Sequence, residues 1–350
     1  MSKRSTVVFT AAIFGAMVTS VHAWDHPGHM TTADIAYEEI EKTRPDLIEK
    51  IGTLFLAHPD PAPFWVAAGE AKGKERVRRM FLECARWPDD SKFTNNDRLA
   101  WHTARYAVVA NDAPQEAKAA AEARHGKPVG QAMEALALAL TYGMLSNPET
   151  SPSERAWALC WLMHVVGDIH QPMHVSDLFS KDFPAGNSAG SMGYVMDPVT
   201  ESPITLHILW DSNDLRVPTV EAVDRATQEF MKKYPRSAFP ELKAHPISDP
   251  NAFEEWAKEG NQVAADWALD VKMVPDPDKN KTQEQLVQGL VNFILNGVSP
   301  VEEAPELPPG YWEKLKSTAE RRITLAGYRL ADLLLAAADS IEAQREFVGR

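Results

Sequence analysis

Ser153-Glu-Arg-Ala-Trp-Ala-Leu-Cys-Trp-Leu-Met-His164-Val-Val-Gly-Asp168-Ile-His170-Gln-Pro-Met-His174 is the stretch on which the fold turns. Apolar residues recur in it at three-and-four spacing, the period of an α-helix. His164 and Asp168 stand one helical turn apart and share a face. The flank of that face is apolar: Leu159, Trp161, Leu162, Val165 and Val166. A carboxylate buried there is costly unless it is paired or bound to a metal. Pro172, following Gln171, then breaks the helix and lets His174 turn back toward the same region.

The same periodicity extends outward over residues 32–42, 75–86, 130–146, 251–273, 282–295 and 311–344. Convincing alternating strands are scarce. Residues 59–63 and 275–278 read as turns, and 301–309 as a Pro/Glu-rich connector before the last helix. No connector has the look of an interdomain linker. The expectation is an all-α chain: a single mainly helical domain over 24–350, preceded by a signal peptide at 1–23. Residues 177–203 lose the period and fill with Gly, Ser, Pro and Asp, which marks a functional or mobile loop or a surface excursion.

The signal peptide rests on Lys3 and Arg4, the apolar run 7–18 and the small-residue site Val21-His22-Ala23. The run is too short to span a bilayer. Export to the periplasm or the medium follows, with no membrane anchor after cleavage. Disulfides are permitted there. The only two cysteines, Cys84 and Cys160, read first as small buried thiols and second as a disulfide. They lack the close pairing of thiolate zinc sites. The net charge of −13 argues against a protein that coats nucleic-acid phosphates with Lys and Arg. Any phosphate must be held locally, and metal ions are suited to that.

His207 and Asp211 repeat the His164–Asp168 spacing. Imidazole and carboxylate are good zinc ligands. A lone histidine on an apolar helix is more often a satisfied core residue, and a lone His/Asp pair is often just a hydrogen bond. Two such pairs together with His174 favour a metal site.

Further motifs make the pattern specific. Trp24-Asp-His-Pro-Gly28-His29 stands where the signal ends, followed by Ala33-Asp-Ile35-Ala36. Trp87-Pro-Asp89-Asp-Ser-Lys92, Trp101-His102, the 164–174 stretch, Leu206-His207-Ile-Leu-Trp210-Asp211 and Ala326-Gly327-Tyr328-Arg329-Leu330-Ala331 come after it in order. Together they resemble the zinc-dependent family of single-strand-specific nucleases and 3′-nucleotidases, from Trp24 to about Leu335. The resemblance implies a trinuclear zinc cleft, with three Zn2+ per chain. Asp89, His102 and His164 would hold the first ion, and Trp24 and His29 the second. Asp168 would bridge these two. His174, His207 and Asp211 would hold the third. Trp24 would contribute its free α-amine and its carbonyl oxygen, a chelate that exists only after signal removal.

The implied activity is hydrolysis of single-stranded RNA or DNA to 5′-phosphorylated products and removal of phosphate from 3′-nucleotides. A zinc-activated water would attack phosphorus. Three zinc ions and three aspartates leave the site at about +3 within an acidic protein. Asp168 and Lys92 are the catalytic candidates. Taken alone, Lys92 reads as a solvated lysine; the resemblance implies a cation on the transition state. His26, His58, His125, His170 and His245 match no ligand position and read as surface or supporting groups, with His170 able to orient a ligand.

Departures fall around the pocket. Asp25 replaces a frequent Gly, and Thr103 and Arg105 stand where an aromatic or bulky apolar residue and an Asp or Asn are usual. Phe183-Pro-Ala-Gly186-Asn187 keeps only part of a Gly-Gly-Asn loop, and Trp267-Ala268-Leu-Asp270 departs from a Glu-containing motif. Arg105, Gly186 and Asn187 are the candidate substrate contacts. The alternatives are a zinc phospholipase C, which resembles the family in its fold and site, and an exported zinc-binding protein without catalysis. No protein partner is implied.

Overall fold

A computed structural model describes residues 24–123, 126–128, 133–277 and 301–342. Among them the chain is mainly helical, in agreement with the periodicity. The helices are α1 (His26–Thr43), α2 (Pro45–Phe55), α3 (Ala62–Ala68), α4 (Gly73–Asp90), α5 (Gln115–Glu122), α6 (Glu134–Ser146) and α7 (Pro152–Asp168). They continue with α8 (Leu206–Ser212), α9 (Val220–Lys233), α10 (Glu241–Ala244), α11 (Ala252–Val263), α12 (Tyr311–Ala336) and α13 (Ala338–Glu342). The expected helix at 282–295, the signal at 1–23 and His125 lie outside the described residues.

Local chemistry sets the helix starts. Ser151 and Glu154 form a reciprocal capping box ahead of α7, with Pro152 in its first turn. The Asp25 carboxylate accepts from the His26 N–H at 2.9 Å and begins α1. Thr205 does the same for α8, accepting from the Ile208 N–H at 3.2 Å. The α7 helix is buried along almost its whole length, so it is the central rod rather than an amphipathic surface helix. Helices α4 and α6 pack on α7, and α1 packs on α4, α9 and α12.

Two expectations are corrected. Cys84 of α4 and Cys160 of α7 are both buried, but they form a disulfide, with Cα atoms 4.7 Å apart. The packing of these two helices brings together residues 76 apart in sequence, which spacing alone does not reveal. The 251–273 helix ends at Val263 and passes through a π-helical turn at Ala264–Ala268. Strands are scarce, as expected: among the described residues there are five short ones. β1 (Tyr106–Val109) pairs in parallel with β2 (Ser176–Phe179), while β3 (Gly193–Met196) lies antiparallel between β4 (Pro203–Thr205) and β5 (Val274–Pro275).

Much of the 177–203 segment is therefore packed structure rather than a surface excursion. The Asn187 Oδ1 accepts from the Leu178 and Gly190 N–H groups at 3.0 and 3.1 Å. Gly186 has φ +97°, and a Cβ there would fall 2.7 Å from Asp177 Oδ1. This position requires glycine on both counts.

Candidate metal centre

Helix packing and the small sheets bring eight of the expected ligand side chains into two groups. His164 and Asp168 come from α7, His29 from α1 and Asp89 from the last turn of α4. His102 follows a 3-10 turn, Leu99–Trp101. His29 can approach because residue 167 is glycine: a Cβ there would lie 2.7 Å from His29 Nδ1 and 3.6 Å from Trp24 Cδ1. The His29 and His164 rings stack with centroids 3.8 Å apart.

Asp168 sits at the middle of the first group. Its Oδ1 lies 3.2 Å from His29 Nε2, and its Oδ2 lies 3.1 Å from His102 Nδ1 and 3.3 Å from His164 Nε2. Asp89 Oδ1 is 3.6 Å from His164 Nε2 and 2.6 Å from Lys92 Nζ. Trp24 is fully buried beside this group.

The second group is His174, His207 and Asp211. Asp211 Oδ1 lies 3.5 Å from His174 Nε2, and its Oδ2 lies 3.2 Å from His207 Nε2. The two rings stack at 4.7 Å. The β1–β2 pairing positions His174 against His102. The Ala104 N–H donates to the His174 carbonyl at 3.0 Å, and His174 Nδ1 donates to the His102 carbonyl. The β3–β4 pair leads directly into α8, which carries His207 and Asp211.

The residues fit a bound divalent ion. His164 Nδ1 donates to Ala85 O at 2.8 Å, and His207 Nδ1 donates to Ala189 O at 2.7 Å. Each bond fixes the tautomer and leaves Nε2 as a lone pair aimed at the group, the usual support of a ligating histidine. His174 Nε2 and Asp211 Oδ2 are buried without a hydrogen-bond partner. Gln171 Nε2 donates to Asp211 Oδ1 at 2.6 Å and steadies it. Among the described residues, four sets of three His, Asp or Glu ligand atoms lie within 4.8 Å of one another; one of them is Glu134, Asp168 and His174.

Burial and charge set the protonation of these groups. Burial and the neighbouring His164 push His29 down to about 4. Burial lowers His102, His174 and His207 as well. Burial works against the charged forms of Asp168 and His164, but each is more than offset by its partners. Asp168 is held well below the carboxylate range by three histidines, and His164 is raised by Asp168 and Asp89. Burial lifts Asp211 to about 8.

Other sequence expectations resolve as follows. His170 is fully buried, and it orients no ligand. Its Nδ1 bonds Val166 O at 2.7 Å and its Nε2 meets Arg329 Nη1 at 2.8 Å, on the side of a Glu259–Arg322–Arg329 ion cluster. His58 is buried, not on the surface. Asn187 is fully buried, with its carbonyl oxygen engaged in the loop. Arg105 lies 3.8 Å from Asp177, whose carboxyl burial lifts to about 6.

Two residues of the site carry no motif signal, Gln171 and Glu134. In the sequence Gln171 reads only as the residue before a helix-breaking proline. Glu134 is the only charged side chain of α6 and stands in its first turn, where an acid ordinarily just complements the helix dipole. Its signal was the long apolar run behind it.

The fold and its buried His/Asp groups define a helical protein built around a centre of side chains that could hold metal ions. The S1/P1 nuclease family matches residues 24–339, and the chain belongs to it. It is also 23% identical to Nuclease S1 of Aspergillus oryzae over 326 residues, covering 90% of this chain and 92% of that protein. Membership of a nuclease family makes it a hydrolase of phosphate esters. Among the described residues no helix is long and apolar enough to cross a membrane.

Proposed function

We propose that this chain is an exported zinc enzyme that cleaves single-stranded nucleic acid to 5′-phosphorylated products and removes phosphate from 3′-nucleotides. The observation that carries the reading is the facing of two buried His/Asp groups, with Asp168 turning one oxygen toward His29 and the other toward His102 and His164. That is the placement expected of a carboxylate shared by two cations. In this reading Asp89, His102 and His164 hold one zinc, His29 and the Trp24 backbone a second, and His174, His207 and Asp211 a third.

Zinc would supply Lewis acidity, lowering the pKa of a neighbouring water toward about 7. The chain's own residues do the rest. The carbonyl-anchored histidines hold their tautomers. Gln171 orients Asp211. Lys92, mostly buried against Asp89, offers a cation at the edge of the group for a phosphate oxygen. Arg105 is a second cation for substrate, while Gly186 and Asn187 shape the loop beside it. Residues 1–23 are removed on export, the remainder forms one domain, and the new Trp24 amine completes the second site.

The test is a substrate panel on zinc-loaded protein beginning at Trp24: single-stranded DNA, RNA, 3′-AMP and phosphatidylcholine. Turnover of single strands and 3′-AMP, lost with chelator and restored by zinc, is expected. Hydrolysis of lipid alone would make it a phospholipase. Bound zinc with no hydrolysis at all would make it a binding protein. An extra residue before Trp24 should reduce both zinc content and turnover; unchanged values would remove the amine from the site.

A further inference from the structure

Glu134 lies where the two groups meet. The Met133 N–H donates to Ala100 O at 2.9 Å and the Glu134 N–H to Thr103 O at 3.3 Å, which docks the start of α6 on the segment carrying His102. The Glu134 side chain is fully buried, and neither carboxylate oxygen has a hydrogen-bond partner. A carboxylate without hydrogen bonds in such a place is strongly unfavourable. The nearby ligand atoms belong to Asp168 of the first group and His174 of the second, all within 4.8 Å of one another. A second carboxylate would repel Glu134, so no protein group among the described residues explains its burial as an anion.

A cation between these atoms explains it. We propose that the Glu134 carboxylate is a further metal ligand, holding the cation of the His174, His207 and Asp211 group from the side that faces Asp168. The inference rests on the metal reading above. Glu134 then links the third cation to the other two and lowers the net charge of the filled site to about +2. The third cation gains a second carboxylate and is held more tightly for it.

The test compares the wild-type mature chain with Glu134→Gln and Glu134→Ala. Zinc content is measured by elemental analysis against a competing chelator, and the visible spectrum is recorded after cobalt(II) loading. Wild type should retain three equivalents. Each variant should retain two, with affinity for the weakest-held ion reduced beyond the roughly 100-fold that loss of a supporting hydrogen bond produces. The cobalt bands of that equivalent should change. The metal-free variants should melt no lower than metal-free wild type, because a buried carboxyl without hydrogen-bond partners has gone. Wild-type zinc count, affinity and cobalt spectrum in both variants would overturn the proposal. Zinc-loaded wild type without nuclease activity would sink only the catalytic reading, whereas wild type that binds no zinc would sink both.

Discussion

The two ligand groups are built in different ways. The first takes His29, Asp89, His164 and Asp168 from three long helices that pack on one another around α7, and only His102 from a short 3-10 turn. The second takes His174 from a turn and His207 and Asp211 from α8, a helix of seven residues. Side-chain packing places the first group. Hydrogen bonds place the second: Ala189 O on His207, His102 O on His174, Gln171 on Asp211, and the Asp25 N–H on the Asp211 carbonyl at 2.9 Å. Sites held by rigid elements keep their geometry better than sites held on loops. The second group should therefore be the more labile, and it can be perturbed without disturbing the first.

The largest effect is expected at the centre of the first group. Asp168→Ala should lower turnover by at least about a thousand-fold, since the charges it organises act directly on the reaction. Its helical circular dichroism should stay unchanged while zinc content falls. Retained turnover would end the idea of a shared carboxylate. Asp211→Asn should be milder, at about a hundred-fold, and should remove one equivalent of zinc while leaving two. Loss of all zinc in that variant would show that the groups are not separable. Gln171→Leu removes only a supporting hydrogen bond. It should weaken the most labile zinc by about 10- to 100-fold in a chelator titration, with the other equivalents unaffected.

The smallest effect is a difference in pH response. Asp211, raised to about 8, carries a proton in the metal-free protein between its usual range and that value. A cation must displace the proton, so affinity at the second group should fall as pH drops below 8, by at most about tenfold per unit. Asp168 is lowered and His29 sits at about 4, so these two ligands are already deprotonated at neutral pH, whereas His164, raised by Asp168 and Asp89, holds a proton that a cation must displace. Zinc held by the first group should therefore respond to pH through His164, and zinc held by the second through Asp211, up to about pH 8. A pH-independent affinity for the most labile equivalent below pH 8, measured by competition, would contradict the assignment to Asp211.

Much of the first group was legible in the sequence, and less of its surroundings. One-turn spacing put His164 with Asp168 and His207 with Asp211, because a helix translates sequence distance into a face. The meeting of His102 with His174 was not legible from periodicity. It depends on β1 and β2, each only four residues long, paired across a large sequence separation. Four-residue strands give too little alternation to register. Glu134 was hidden by an ordinary role, and the disulfide by the fact that Cys84 and Cys160 have no local relation. The 177–203 segment lacks periodicity because Asn187 and backbone hydrogen bonds, rather than a repeating apolar face, hold it in place.

The Cys84–Cys160 bridge bears on how the centre assembles. It ties α4, which carries Asp89, to α7, which carries His164 and Asp168. In the chain-entropy picture, closing a loop of this size removes about 4 to 5 kcal/mol of disorder from the unfolded chain. With the bond in place, Asp89 meets the α7 ligands at the effective concentration of a tethered neighbour instead of a distant segment. Oxidation is thus a step that prepares the cage, and an arriving cation has less searching left to arrest.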